Sequence, residues 1–337
     1  MAKASASPSA TKPDKRGLVA DVLLNGGSVE DIRAALISSG LSEASARYEI
    51  ERARKDPLFV AGQRLANRLA KRDWTLDIYR RLDAARAAEI PVIDAILPER
   101  FFAEFYAANR AVKLTGLVDH WPALRQWNLA YFAAKLGDAV VELQGQRNSG
   151  GDYEIAKDRY RRQIAFRDVL ALMDHGAEGN DFYITAYNDT LNKQSLAPLW
   201  NDLGPVSLLT PSGGRDGFFW MGPRGTVTPF HHDLTNNLLV QVIGRKRVKL
   251  VPAYEVARMR NSLHCFSDWS GDDLPAGPGD DRRPLVMECE IGPGEALFLP
   301  IGWWHHVVGL DMTCSMSFTN FTAPNDFYTD YVRDPVF

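Results

Sequence analysis

Residues 226–251 read Thr226-Val227-Thr228-Pro229-Phe230-His231-His232-Asp233-Leu234-Thr235-Asn236-Asn237-Leu238-Leu239-Val240-Gln241-Val242-Ile243-Gly244-Arg245-Lys246-Arg247-Val248-Lys249-Leu250-Val251. Alternate residues of a β-strand project from the same face. His231 and Asp233 can therefore address one ion while His232 points away. The rest of the stretch reads as a strand, a tight turn at Gly244 and a second strand. In that second strand Arg245, Arg247 and Lys249 share one face, and Lys246, Val248 and Leu250 share the other. One lysine thus lies among apolar residues on the inward face. A buried ammonium is costly unless an anion pairs with it. Either a protein carboxylate lies opposite Lys246 or an anionic ligand does.

Two donors do not make a metal site. A third is offered by Gly294-Glu295-Ala296-Leu297-Phe298-Leu299-Pro300-Ile301-Gly302-Trp303-Trp304-His305-His306-Val307, where His305 is the candidate. Two histidines and one carboxylate on one side of a metal leave coordination positions open, which is the facial triad of non-haem Fe(II) oxygenases. Zinc or manganese in a non-oxidative cupin could use the same three side chains, and spacing alone does not separate these readings. His232, His264 and His306 are expected not to be ligands. Trp303 and Trp304 are expected in the core.

Working outward, residues 182–337 contain many short β-type runs separated by Gly, Pro and Asp, which predicts a sandwich or barrel. Residues 111–117 and 139–143 read as further strands, and 98–102 as a short amphipathic helix. Residues 17–90 read as a helical unit. Ser28 before Glu30 and Asp31 is an N-cap signal, Gly40 a stop, and Ser42 the next start. Residues 1–16, rich in Ala, Ser, Pro and Lys, are expected to be a disordered tail. The expected organisation is therefore tail 1–16, helical unit 17–90 and catalytic domain 91–337.

Bulk properties exclude several classes. Across 337 residues the net charge is −3, which gives no global attraction to nucleic acid or to a membrane surface. No apolar run approaches the ~18 residues of a membrane span. Cys265, Cys289 and Cys314 show no CxxC spacing, so neither a disulfide framework nor a zinc ribbon is indicated. No apolar core of a secretory signal is present at the start. A cytoplasmic location is expected. The acidic residues of loop 267–283 read as a solvated face.

The motifs TPxHxD at 228–233, NxxxQxxGxKR at 237–247, PGxxLxxPxxWWHH at 293–306 and Asn320-Phe321 are together recognisable. Over residues 91–320 the chain resembles the cupin-like JmjC hydroxylases, in particular the asparaginyl hydroxylase that inhibits hypoxia-inducible factor. The resemblance implies a mainly β fold with α, a double-stranded β-helix (jelly roll or cupin) core preceded by helices. It implies that His231, Asp233 and His305 bind Fe(II). It implies that Lys246 pairs with the distal carboxylate of 2-oxoglutarate, helped by Thr228 and Tyr183, and that Asn237 and Asn320 line the same pocket. The implied activity is an Fe(II)- and 2-oxoglutarate-dependent dioxygenase, a hydroxylase using O₂ and releasing succinate and CO₂. A protein or peptide side chain is the expected substrate. A free amino acid or other small molecule is the alternative, as is a non-oxidative metal-binding cupin. The C-terminal helices through which the resembled hydroxylase dimerises have no counterpart before Phe337; the N-terminal helices are a candidate surface for a homodimer, with a partner- or substrate-docking surface as the alternative.

Overall fold

A computed structural model of the chain describes residues 15–24, 27–85 and 89–332. Of the expected disordered tail, residues 1–14 lie outside the described residues, whereas Lys15 and Arg16 open the first helix. Two compact units separate, Met1–Leu82 and Asp83–Phe337.

The first unit holds helices α1 (Lys15–Leu24), α2 (Val29–Ser38), α3 (Glu43–Lys55) and α4, which starts at Pro57 and runs to Asp83. Ser28 caps α2: its Oγ accepts from Asp31 N at 3.1 Å while Asp31 Oδ2 accepts from Ser28 N at 2.6 Å, a reciprocal arrangement that satisfies two end donors. Gly40, at φ +96°, then turns the chain out of the helix, a conformation glycine adopts without steric cost. Val19, Ile32, Leu36, Ala46 and Ile50 form the small core of α1–α3. No residue of α4 is buried.

The second unit is built on two facing sheets, antiparallel except for one parallel pair, Val92–Asp94 with Val112–Thr115. Its strands are β1 (Val92–Asp94), β2 (Val112–Thr115), β3 (Val140–Gly145), β4 (Arg161–Ala165), β5 (Phe182–Tyr183), β6 (Phe218–Gly222) and β7 (Val227–His232). They continue with β8 (Asn237–Ile243), β9 (Lys246–Val251), β10 (Met287–Ile291), β11 (Ala296–Leu299), β12 (Trp304–Gly309) and β13 (Thr313–Phe318). One sheet runs β1-β2-β11-β8-β13-β6, the other β10-β9-β12-β7, and a third, smaller sheet runs β4-β3-β5. Leu239, Val248, Leu250, Leu297, Leu299 and Val307 pack between the two main sheets. This is the expected cupin jelly roll, mainly β with α.

Three local features position the site. First, the strand-turn-strand reading of 237–251 holds, but β8 and β9 do not pair. Each enters a different sheet, as consecutive jelly-roll strands do. The crossing passes through Gly244 at φ +67°, where a Cβ would stand 2.1 Å from Met312 O, so no other residue fits without a shift of backbone. Second, Lys246, Val248 and Leu250 all face inward while Arg247 is exposed, as strand alternation requires. Third, β7 opposes β12 with His231 across from His305 and Thr228 across from Val307. Three steps on β7 match two on β12, a bulge that falls at Pro229-Phe230. It turns Thr228 and His231, of opposite parity in sequence, into the same cavity.

Candidate active site

His231 near the end of β7, Asp233 just beyond it and His305 on β12 present three ligand atoms that all lie within 4.8 Å of one another. His231 Nε2 and Asp233 Oδ1 are 3.6 Å apart, and the two imidazole rings have centroids 4.2 Å apart. Backbone carbonyls fix both rings through Nδ1. His231 Nδ1 lies 2.9 Å from Pro229 O and His305 Nδ1 lies 3.3 Å from Trp303 O. With Nδ1 as donor, Nε2 is left as the lone-pair side, the outer-shell arrangement that orients histidine toward a metal. Asp233 Oδ2 accepts from Asn237 Nδ2 at 2.9 Å, which leaves Oδ1 to face the histidines.

The charge balance of this cluster is consistent with a cation site. Burial alone would raise the Asp233 carboxyl. The adjacent His231 imidazole, the neighbouring His305 and the Asn237 amide together outweigh it and hold the group well below the ordinary carboxylate range. Burial and repulsion by His231 push His305 down to about 4, so at neutral pH its imidazole is uncharged and free to coordinate. His231 is depressed by burial but raised more by Asp233. Two histidines and one carboxylate match the donor set of a facial Fe(II) site. His232 points away. Its Nε2 lies 3.2 Å from Tyr331 Oη, and its ring meets Trp304 edge-on. His306 packs on Phe230 with ring centroids 5.2 Å apart, and Trp303 and Trp304 are buried.

Below the triad the cavity is lined by Tyr183, Trp220, Thr228, Asn237, Leu239, Lys246, Leu299, Val307 and Ser317. Lys246 is 2% exposed. Among the described residues its one hydrogen-bond partner is Tyr183 Oη, which accepts from Nζ at 3.1 Å. The alternative left open by the sequence, a protein carboxylate opposite this lysine, is not what the fold supplies. Asn237 Oδ1 is also buried without a partner. An ammonium, an amide oxygen and a cluster of three side chains that could hold a metal, around one cavity, suit a small acid that would chelate such a metal at one end and meet Lys246 at the other.

Seven residues expected from sequence, His231, Asp233, His305, Lys246, Thr228, Tyr183 and Asn237, are brought together around one cavity. Tyr183 reaches the cavity because the chain after β5 bridges to β6 through reciprocal Ile184–Met221 backbone hydrogen bonds. Gly222 gives the Tyr183 ring room, since a Cβ there would lie 2.6 Å from Cδ2. Asn237 arrives by a route other than strand parity: it sits on β8, in the sheet opposite β7. Asn320, also expected here, is placed elsewhere by the fold. It is not among the residues lining this cavity. It lies past the end of β13, where its Nδ2 donates to Thr210 O at 2.7 Å and its own carbonyl accepts from Thr210 N. This pairing with 209–210 turns it toward a separate hollow lined by Trp200, Leu209 and Phe318.

Sequence reading missed Ser317 and Trp220, where Trp220 Nε1 donates to Ser317 Oγ at 2.8 Å. The alternation of Ser315 and Ser317 through the apolar strand β13 was the available signal. It also missed Arg147, 1% exposed. Its Nη2 donates to Glu154 Oε1 and to Val227 O, both at 2.9 Å, and Nη1 donates to Asn180 Oδ1 at 2.8 Å. Burial raises the Glu154 carboxyl, and the charges of Arg147 and His231 offset this only in part.

Residues 98–327 match the family model described as a cupin-like domain. The chain is 26% identical over 243 residues to lysine-specific demethylase 8 of Xenopus tropicalis, covering 68% of this chain and 52% of the relative. It is 29% identical over 232 residues to lysine-specific demethylase JMJ30 of Arabidopsis thaliana, covering 65% and 52%. With the human bifunctional peptidase and (3S)-lysyl hydroxylase JMJD7 it shares 24% identity over 244 residues, 62% of this chain and 77% of the relative. The chain spans about half the length of the first two of these relatives. Residues 98–327 cover most of the chain and contain all three triad donors, and the chain belongs to the cupin-like JmjC domain family, whose enzymes use Fe(II), 2-oxoglutarate and O₂.

Proposed function

We propose that this chain is an Fe(II)- and 2-oxoglutarate-dependent dioxygenase that hydroxylates a C–H bond of a protein or peptide side chain. One observation carries the reading: Lys246 is buried below the triad and, among the described residues, its hydrogen-bond partner is a tyrosine hydroxyl and not a carboxylate. Bound together, Fe(II), 2-oxoglutarate and O₂ supply an oxidative decarboxylation that yields succinate, CO₂ and a hydroxylated product. The chain's own residues do the rest. His231, Asp233 and His305 hold the metal from one side. Lys246, Tyr183 and Thr228 fix the far carboxylate of the co-substrate, and Asn237 orients Asp233 while offering its free oxygen to the cavity. Leu239, Leu299 and Val307 keep that cavity apolar and exclude water.

Two of the relatives are named as a lysine-specific demethylase and a (3S)-lysyl hydroxylase, which makes lysine-containing peptides the first substrates to screen. Mass spectrometry of such a peptide set, incubated with Fe(II)-loaded protein, is expected to find a gain of one oxygen atom that requires 2-oxoglutarate. Oxygen gain confined to free amino acids or small metabolites would overturn the peptide reading and leave the oxygenase reading standing.

No helix among the described residues is long and apolar enough to cross a membrane, and a cytoplasmic location remains part of the proposal. So does a homodimer contact through the N-terminal helices. Leu65, Leu69 and Tyr79, which share one side of α4 at helical spacing, are exposed and supply the apolar residues of the proposed contact. Sedimentation should report a dimer that dissociates on Leu65→Asp/Leu69→Asp substitution. A wild-type monomer, or a dimer indifferent to that change, would contradict it.

A further inference from the structure

Arg147 opens the short turn Arg147–Ser149 just after β3 and lines no part of the cavity. Its side chain is nonetheless fully buried beside the site. It ties together pieces that the chain brings from far apart. Through Nη2 it holds Val227 O, the residue before Thr228. Through Nη1 it holds Asn180 Oδ1, which also accepts from Val227 N at 2.8 Å. Its guanidinium carbon sits 5.2 Å from the centroid of the Tyr183 ring and 4.1 Å from that of Tyr153. Tyr183 in turn receives the Lys246 ammonium. A simple counter-charge for Glu154 would need only the Nη2–Glu154 contact and none of these. The observed set uses what distinguishes arginine from lysine, a planar fork that donates in two directions and stacks on aromatic rings. Nε is left without a partner among the described residues, so the orientation is set by the Nη contacts and the two rings.

We propose that Arg147 is a positioning residue for the co-substrate. It locks Tyr183 and the start of β7 so that Tyr183, Thr228 and Lys246 converge on one carboxylate. It touches neither metal nor co-substrate itself. The inference rests on the co-substrate reading of the cavity given above.

The test is calorimetric titration of 2-oxoglutarate into full-length protein loaded with Mn(II), paired with steady-state kinetics on the Fe(II) form. Arg147→Met and Arg147→Lys are both expected to weaken binding about 10- to 100-fold, the range typical of an outer-shell partner. They should raise the KM for 2-oxoglutarate in parallel while kcat at saturation falls less than about threefold. Arg147→Met/Glu154→Gln should bind no better than Arg147→Met. Wild-type binding by Arg147→Lys, or rescue in the double variant, would reduce Arg147 to a counter-ion and overturn the proposal. Should the Arg147 variants fail to fold, Asn180→Ala removes the shared acceptor alone. Weaker binding there supports the proposal, and unchanged binding overturns it. Lys246→Met separates the two levels. If it binds 2-oxoglutarate like wild type, the co-substrate reading fails. If it loses binding while the Arg147 variants keep theirs, only the positioning role fails.

Discussion

Asp233→Ala is expected to lose iron and to cut succinate formation by more than about 100-fold, beyond the usual cost of removing a mere outer-shell partner of a metal site. His231→Ala and His305→Ala should behave alike, because the three ligand atoms, all within 4.8 Å of one another, are the proposed protein ligands of one ion. The loss should not be a folding defect. The Asp233 side chain meets only Asn237 and the neighbouring His231 among the described residues, and the strands around it are held by ladders that do not involve it. His232→Ala is the informative control. It changes the neighbouring residue in sequence, yet its ring faces Tyr331 and Trp304, so iron content should stay at the wild-type level. Colorimetric iron determination with circular dichroism on all four variants checks this. Full iron occupancy in Asp233→Ala, or loss in His232→Ala equal to that in His231→Ala, would displace the proposed ligand set.

Lys246→Met should move stability and co-substrate affinity in opposite directions. In the protein without co-substrate, the buried ammonium meets one neutral hydroxyl, and leaving such a group under-satisfied costs about 1–3 kcal/mol or more. Methionine has a similar shape and no charge to desolvate. The variant should therefore melt higher by several degrees, on the order of 2–6 °C. Affinity for 2-oxoglutarate should fall by about 30-fold or more, since removing one side of a desolvated charge pair costs about 2–5 kcal/mol. Adding 2-oxoglutarate should then raise the melting temperature of the wild type and not that of the variant, because a ligand stabilises only the form that binds it. Thermal shift measurements with and without the co-substrate read both effects. A variant that melts lower and still binds would mean that Lys246 serves the fold rather than the ligand.

Much of this arrangement was legible from residues 226–251 because strand alternation is a local rule. It placed His231 with Asp233, turned His232 away and put Lys246 inward with Val248 and Leu250. What alternation could not show was which sheet each strand joins. Asn237 reaches the cavity from the facing sheet, so its agreement in parity with His231 had no structural meaning. Thr228 has the wrong parity and reaches the cavity through the bulge at Pro229-Phe230. Asn320 fell outside because the chain, on leaving β13, pairs with residues 209–210, a contact across more than a hundred residues that no local pattern encodes. Arg147 was silent for the same reason. An arginine after a short strand reads as surface, and its burial depends on Glu154, Asn180, Val227 and two tyrosines converging on it. The N-terminal capping residues, in contrast, act within one helical turn, and Ser28, Gly40 and Ser42 did what their spacing predicts.

The most direct test of the central claim is to titrate 2-oxoglutarate anaerobically into the Fe(II)-loaded protein, admit O₂ and quantify succinate. The account predicts a single saturable site and succinate that disappears in Asp233→Ala and Lys246→Met. A well-folded, iron-loaded protein that neither binds 2-oxoglutarate nor forms succinate would contradict it and would make this chain a non-oxidative metal-binding cupin.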